Sequence, residues 1–189
     1  MKRAPDELTD EQIVGRVLDG TIDLFSAIIH RYENRVFAVG MKFFRNRDDA
    51  ADFTQEVFIK AYNSLKSFRG ESRFYSWLIR VAYNHGINAA RTTRPSDSLA
   101  EEFVEGRDLS PERAHMREEV CMALREAMRE LPEEYRACLD FYFFFGLSYR
   151  EIGEITGFPV NTIKSHVFRA KQVLRDALRG TIAEAYDEV

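Results

Sequence analysis

The stretch from Leu147 to Leu178 constrains this chain more than any other, because it prescribes two short helices and a sharp break between them. Ser148 is a good N-cap with Glu151 three residues on, the spacing of a capping box, and Ile152 and Ile155 then supply a short apolar face. Gly157 can take the left-handed conformation that ends a helix, and Pro159 cannot continue one. A second helix is expected to follow, with Asn161 or Thr162 as its cap. In it Ile163, Val167, Ala170, Leu174 and Leu178 recur at intervals of four, three, four and four, which is one buried stripe.

The outer face of that second helix holds Thr162, Ser165, His166, Arg169 and Gln172, with no acid among them. From Asn161 to Arg179 the five bases Lys164, Arg169, Lys171, Arg175 and Arg179 stand against Asp176 alone. Two short helices, a glycine turn and a basic second helix suit a unit that lays its N-terminal residues into a DNA major groove. A plain helical hairpin with a solvated basic face shares this local pattern, so the rest of the chain has to decide.

A formal charge of −4 over 189 residues argues against a nucleic-acid partner until it is divided along the chain. Ser64 to Arg94 holds six bases against Glu71 alone, whereas Glu101 to Glu134 holds eleven acids against five arginines. Two basic segments flanking an acidic middle suit a protein that touches DNA at two places. Cys121 and Cys138 are 17 residues apart with no ligand-spaced partners, which predicts free thiols in a reducing cytosol and no metal site. No window approaches a membrane span, so a cytoplasmic protein is expected. No glycine-rich phosphate loop, catalytic triad or alternating strand pattern occurs, so neither an enzyme nor a cofactor is expected.

Every periodic segment is helical, and the fold class expected is all-α. Thr9 or Asp10 caps a short helix whose Ile13, Val17 and Leu18 share a face, read as a peripheral cover. A long core helix follows from Asp23, carrying Phe25, Ile28, Ile29, Tyr32, Val36, Phe37, Phe43 and Phe44. After a break at Asn46, Asp48 and Asp49 begin a helix whose Phe53 (or Thr54), Val57 or Phe58, Ala61 and Leu65 face inward. Asp52, Gln55, Glu56, Ile59 and Asn63 are left outside, and an isoleucine among polar groups hints at a protein-binding face.

Lys66 to Glu71 reads as a loop, and Ser72 caps a helix with Phe74, Trp77, Leu78, Val81 and Ala82 toward a core. Its opposite side offers Arg73, Ser76, Arg80, Asn84, Asn88 and Arg91, flanked by Tyr75 and Tyr83, a pattern suited to stacking on unpaired bases. Residues 95–110, with Pro95, Ser96, Ser98, Gly106 and the acids Glu101, Glu102 and Glu105, read as a flexible acidic linker between a domain at 1–94 and another at 111–189. Ser110 and Pro111 open the next helix, and the run from Phe141 to Phe145 reads as core.

Several segments now fall into one order. They are Asp48-Asp49-Ala50-Ala51-Asp52-Phe53-Thr54-Gln55-Glu56-Val57-Phe58-Ile59-Lys60-Ala61-Tyr62, Phe68-Arg69-Gly70-Glu71-Ser72 through Trp77-Leu78, and Leu131-Pro132-Glu133-Glu134-Tyr135-Arg136. Gly146-Leu147-Ser148-Tyr149-Arg150-Glu151-Ile152 and Thr162-Ile163-Lys164-Ser165-His166-Val167-Phe168-Arg169-Ala170-Lys171 complete the set. Together they resemble the extracytoplasmic-function (ECF) sigma factors, the small two-domain members of the sigma-70-like family of bacterial RNA polymerase subunits.

The resemblance implies that the first domain binds the polymerase clamp through Asp52, Gln55, Glu56, Ile59 and Asn63. It implies recognition and melting of the minus-ten element by Lys66, Phe68, Arg69, Ser72, Tyr75, Arg80, Asn84, Asn88 and Arg91. The minus-thirty-five element would be read by Asn161, Thr162, Lys164, Ser165, His166, Arg169 and Lys171. An anti-sigma factor is a further implied partner. Gly153 departs from the usual family alanine, at a cost of roughly 1 kcal/mol in helix stability, and His166 stands where arginine is frequent. The competing reading is a helix-turn-helix regulator that acts without polymerase.

Overall fold

The computed structural model describes residues 7–44, 46–92 and 111–179, and among them every regular element is helical. Contacts divide the chain into two units, Met1–Ala100 and Glu101–Val189. The expected linker and the Ser110 cap lie outside the described residues.

Helix α1 (Asp10–Leu18) starts where a complete capping box allows it. Gln12 N donates to Thr9 Oγ1 at 3.3 Å and Thr9 N to Gln12 Oε1 at 3.2 Å. Its buried face is Ile13, Val14 and Val17, with Glu11, Gln12, Gly15 and Arg16 left exposed. Leu18, expected on that face, is 43% exposed instead, because it lies about 140° round the helix from Ile13. Asp10 then ties α1 to the next helix by accepting from both Arg31 and the Tyr32 hydroxyl. Burial and that carboxylate push the Tyr32 phenol well above its ordinary range.

A 3-10 turn at Ile22–Leu24 leads into α2 (Phe25–Phe43), whose buried side includes Phe25, Ile28, Val36 and Val39. Asn46 caps α3 (Arg47–Asn63) by accepting from Asp49 N at 2.7 Å, and Asp48 and Asp49 sit at the positive end of its dipole. The two helices cross at Gly40, where a Cβ would stand 2.9 Å from the Phe53 ring and 3.0 Å from the Ala50 carbonyl oxygen. Only glycine leaves room for that approach.

Helix α4 (Phe74–Thr92) begins one residue later than a Ser72 cap implies, with Trp77 N donating to Arg73 O at 3.2 Å. Phe74, Trp77, Leu78, Ile79 and Ala82 are buried against α2 and α3, with Val81 half-buried. Ser76, expected on the outer side, is 3% exposed. The apolar stripe is wide enough that this small hydroxyl falls within its edge.

In the second unit α5 (Pro111–Glu130) and α6 (Glu133–Leu139) meet at a corner closed by Arg136, whose Nη2 donates to Leu131 O at 3.0 Å and Arg129 O at 3.3 Å. Beyond α6 the chain widens into a π turn, Asp140–Phe144. The aromatic run there is only partly core, since Phe141 and Phe145 are buried whereas Phe143 is 55% exposed. Helices α7 (Tyr149–Thr156) and α8 (Val160–Leu178) follow. Leu131 and Leu139 pack on Ala170 of α8, with Met128, Tyr135 and Leu174 around them.

Candidate nucleic-acid interface

Helix α7 is fixed at both ends by its own sequence. Ser148 Oγ accepts from Glu151 N at 3.3 Å, and the Glu151 carboxylate takes Ser148 N at 2.8 Å in return. Gly157 closes it at φ 77°, its amide bonded to Gly153 O at 2.9 Å. Helix α8 then begins earlier than an Asn161 or Thr162 cap implies. Pro159 is its N-cap, and its carbonyl accepts from Ile163 N at 3.1 Å. The fixed proline φ suits that position, and no side-chain cap forms.

Ile163, Val167 and Ala170 are buried at 0–1% exposure, and Leu174 and Leu178 are half-buried, so the stripe lies where the periodicity puts it. Asn161, Lys164, Ser165, Arg169, Lys171 and Gln172 are exposed, and Thr162 is half-buried. No acidic residue stands in the first turn. Arg169 Nη1 donates to the Tyr135 hydroxyl at 2.9 Å, and Lys171 Nζ lies 4.8 Å above the Phe143 ring.

His166 is half-buried and packed among aromatic neighbours. Its ring faces Tyr135 at 4.6 Å and meets Phe158 edge-on at 5.4 Å, with Nδ1 3.8 Å from Cys138 Sγ. Phe168, outside the set of contacts expected from the sequence, is 61% exposed among the bases of α8. Its exposure follows from helical geometry, because residue 168 falls about 140° from Ile163 and so off the buried stripe.

In the first unit Asp52, Gln55, Glu56, Ile59 and Asn63 are all exposed on one side of α3, with Ile59 at 60%. Glu56 Oε2 accepts from His85 Nε2 of α4 at 2.7 Å, and Lys60 Nζ donates to His85 Nδ1 at 2.6 Å. The imidazole, stacked on Phe53 at 5.2 Å, thus bridges the two helices.

Of the residues assigned to the minus-ten element, Lys66, Arg69, Asn84 and Asn88 are exposed, and Ser72 and Arg80 are half-buried. Arg91 lies in α4, and its side chain is outside the described residues. The structure places Phe68 and Tyr75 in aromatic packing. Phe68 meets Phe74 at 5.3 Å and Trp77 at 5.7 Å, and Tyr75 stacks on Tyr32 at 5.4 Å. Both rings are half-buried.

Residues 28–95 match the family Sigma-70 region 2, and residues 121–174 match Sigma-70, region 4. Over 187 residues the chain is 39% identical to the RNA polymerase sigma-H factor of Pseudomonas aeruginosa, covering 93% of this chain and 97% of the relative. The chain belongs to the extracytoplasmic-function sigma factors. The ECF RNA polymerase sigma-E factor of Haemophilus influenzae is 36% identical over 185 residues, covering 92% of this sigma factor and 97% of its own length.

Two solved structures share the fold. CnrH, in complex with the cytosolic domain of CnrY, aligns with a TM-score of 0.65 at 18% identity, covering 90% of this chain and 97% of CnrH. RpoE of Bartonella quintana, in complex with the anti-sigma factor NepR, aligns with a TM-score of 0.63 at 21% identity, covering 82% and 96%. A region 2 fold in the first unit disfavours a helix-turn-helix regulator acting without polymerase. Sigma factors are initiation factors rather than enzymes, and no helix among the described residues is long and apolar enough to cross a membrane.

Proposed function

We propose that this sigma factor binds core RNA polymerase through the exposed face of α3 and directs initiation by contacting promoter DNA with α4 and α8. The observation that carries this reading is the ordered pair of regions, one with an acidic outer helix and the other with a basic one. Carboxylates at Asp52 and Glu56 would repel phosphates, so they suit a protein partner. Lys66, Arg69, Ser72, Arg80, Asn84 and Asn88 are assigned to the minus-ten element, together with Arg91 by its place in the sequence, and Phe68 and Tyr75 support them from within. The protein does no catalytic chemistry of its own and works in the cytoplasm, where polymerase is. An anti-sigma factor, as in the Bartonella complex, is its expected regulator.

On α8, Arg169 is assigned to a guanine edge, Lys164 and Lys171 to phosphates, and Phe168 to a thymine methyl. Asn161, Thr162 and Ser165 line the same approach to the groove. His166 keeps the helix seated instead of reading a base. The test is holoenzyme affinity for single-base promoter variants at several salt concentrations. Arg169→Ala is expected to lose about 1–3 kcal/mol on the preferred promoter and relax discrimination at one base pair. Lys171→Ala is expected to weaken all sequences alike and reduce the salt slope by about one. Charge reversal at Asp52 or Glu56 is expected to weaken core binding. Normal holoenzyme assembly with altered DNA affinity would overturn the α3 assignment.

A further inference from the structure

We propose that Tyr135 is a positioning residue for promoter discrimination, its hydroxyl holding the Arg169 guanidinium ready for a base edge. The inference rests on the assignment of Arg169 to a base. Arg169 Nη1 donates to Tyr135 Oη at 2.9 Å, from α8 to α6. That bond uses one of five guanidinium hydrogens, and among the described residues the Nη2 and Nε edge is left for the two acceptors of a guanine.

The anchor is itself rigidly held. The Tyr135 ring packs against the cluster of Leu131, Leu139 and Ala170, and its other neighbour is His166 at 4.6 Å. His166 is fixed in turn by Phe158 and by Cys138. An exposed arginine without such a tether samples many rotamers and loses that freedom on binding DNA. Fixing it beforehand lowers the cost of the productive geometry, and a tether from a second helix references the guanidinium to the body of the unit as well as to its own backbone.

Tyr135→Phe removes the hydroxyl and keeps the ring packing, so it separates tethering from folding. Holoenzymes carrying wild-type chain, Tyr135→Phe, Arg169→Ala and the double variant are compared on single-base variants of the upstream element. Tyr135→Phe is expected to reduce discrimination about two- to tenfold, the worth of one hydrogen bond, at the base pair where Arg169→Ala abolishes it. Other base pairs and the salt slope stay unchanged, and Tyr135→Phe has no further effect once Arg169 is gone.

Nitrogen-15 NMR of arginine side chains in the free full-length chain gives an independent readout. Slow rotation about Nε–Cζ of Arg169 in the wild type is expected to become fast in Tyr135→Phe. Intact discrimination in Tyr135→Phe, where Arg169→Ala erases it at one base pair, overturns the tether and leaves the base assignment standing. A uniform loss for Arg169→Ala overturns the base assignment, and the tether's role in discrimination with it. An Arg169 signal identical in wild type and Tyr135→Phe overturns the tether alone.

Discussion

Gly40→Ala tests whether α2 and α3 cross as closely as described. The new methyl would sit 2.9 Å from Phe53 Cδ1, 3.0 Å from the Ala50 carbonyl oxygen and 3.2 Å from Ala50 Cα. Phe53 is 3% exposed and cannot swing aside, and the Ala50 atoms are backbone, so the helices must part by a few tenths of an ångström. Overpacking of this kind costs about 1–3 kcal/mol, and alanine in place of a helical glycine returns about 0.8–1.0 kcal/mol. A net loss of about 0–2 kcal/mol is expected, each kcal/mol lowering the unfolding midpoint by about 4–8 °C for a unit of this size. Gly15→Ala provides the opposite sign. Its Cβ meets nothing within 4 Å, so the helix propensity acts unopposed and stabilises by about 0.5–1 kcal/mol. Trp77 is the chain's single tryptophan and is buried in the first unit, so its fluorescence during heating follows that unit alone. A Gly40→Ala midpoint raised above that of the wild type, as expected for Gly15→Ala, would refute the reasoning.

His85→Ala is expected to destabilise the first unit by about 1–2 kcal/mol, chiefly through lost packing on Phe53, because Glu56 and Lys60 are exposed and rehydrate. The Trp77 melt measures it, and NMR of the wild type should find His85 as the Nε2–H tautomer. Burial and then the nearby Glu134 carboxylate push the Cys138 thiol up to about 11. Alkylation at pH 8 should therefore label Cys121 well before Cys138, and equal rates would contradict the burial. A raised thiol pKa contributes stability that is intact below the unfolded value near 9 and is lost as pH rises through about 11, so urea midpoints should fall across that window. Ser148→Ala should cost about 0.5–2 kcal/mol by removing the α7 cap. That loss should appear in far-ultraviolet circular dichroism with the Trp77 transition unmoved.

The helices were legible because their apolar positions repeat, and the turn before α8 because Ser148, Glu151, Gly157 and Pro159 each carry a distinct backbone meaning. The exposed face of α3 could be read for the same reason, since Phe53, Val57, Phe58 and Ala61 claim the other side. Phe68 and Tyr75 could not be placed that way. Aromatics beside arginines look alike whether they await a base or lean on Tyr32, Phe74 and Trp77, and only tertiary contact separates the cases. His166 is a similar case, because its partners Tyr135 and Cys138 belong to another helix. The need for glycine at position 40 was invisible because the atoms that demand it belong to α3.

The separation of α8 into a sealed stripe and an outer row bears on how such proteins diversify. Ile163, Val167 and Ala170 hold the helix in place, and Asn161, Lys164, Ser165, Phe168 and Gln172 take no part in the core. A duplicated gene could therefore acquire a new promoter vocabulary at those outer positions while every intermediate still folds. His166 and Arg169 are different, because both touch Tyr135. Changes there disturb a second helix, so paralogues drifting toward separate regulons would be expected to exchange the outer row freely and to alter residues 135, 166 and 169 as a linked set.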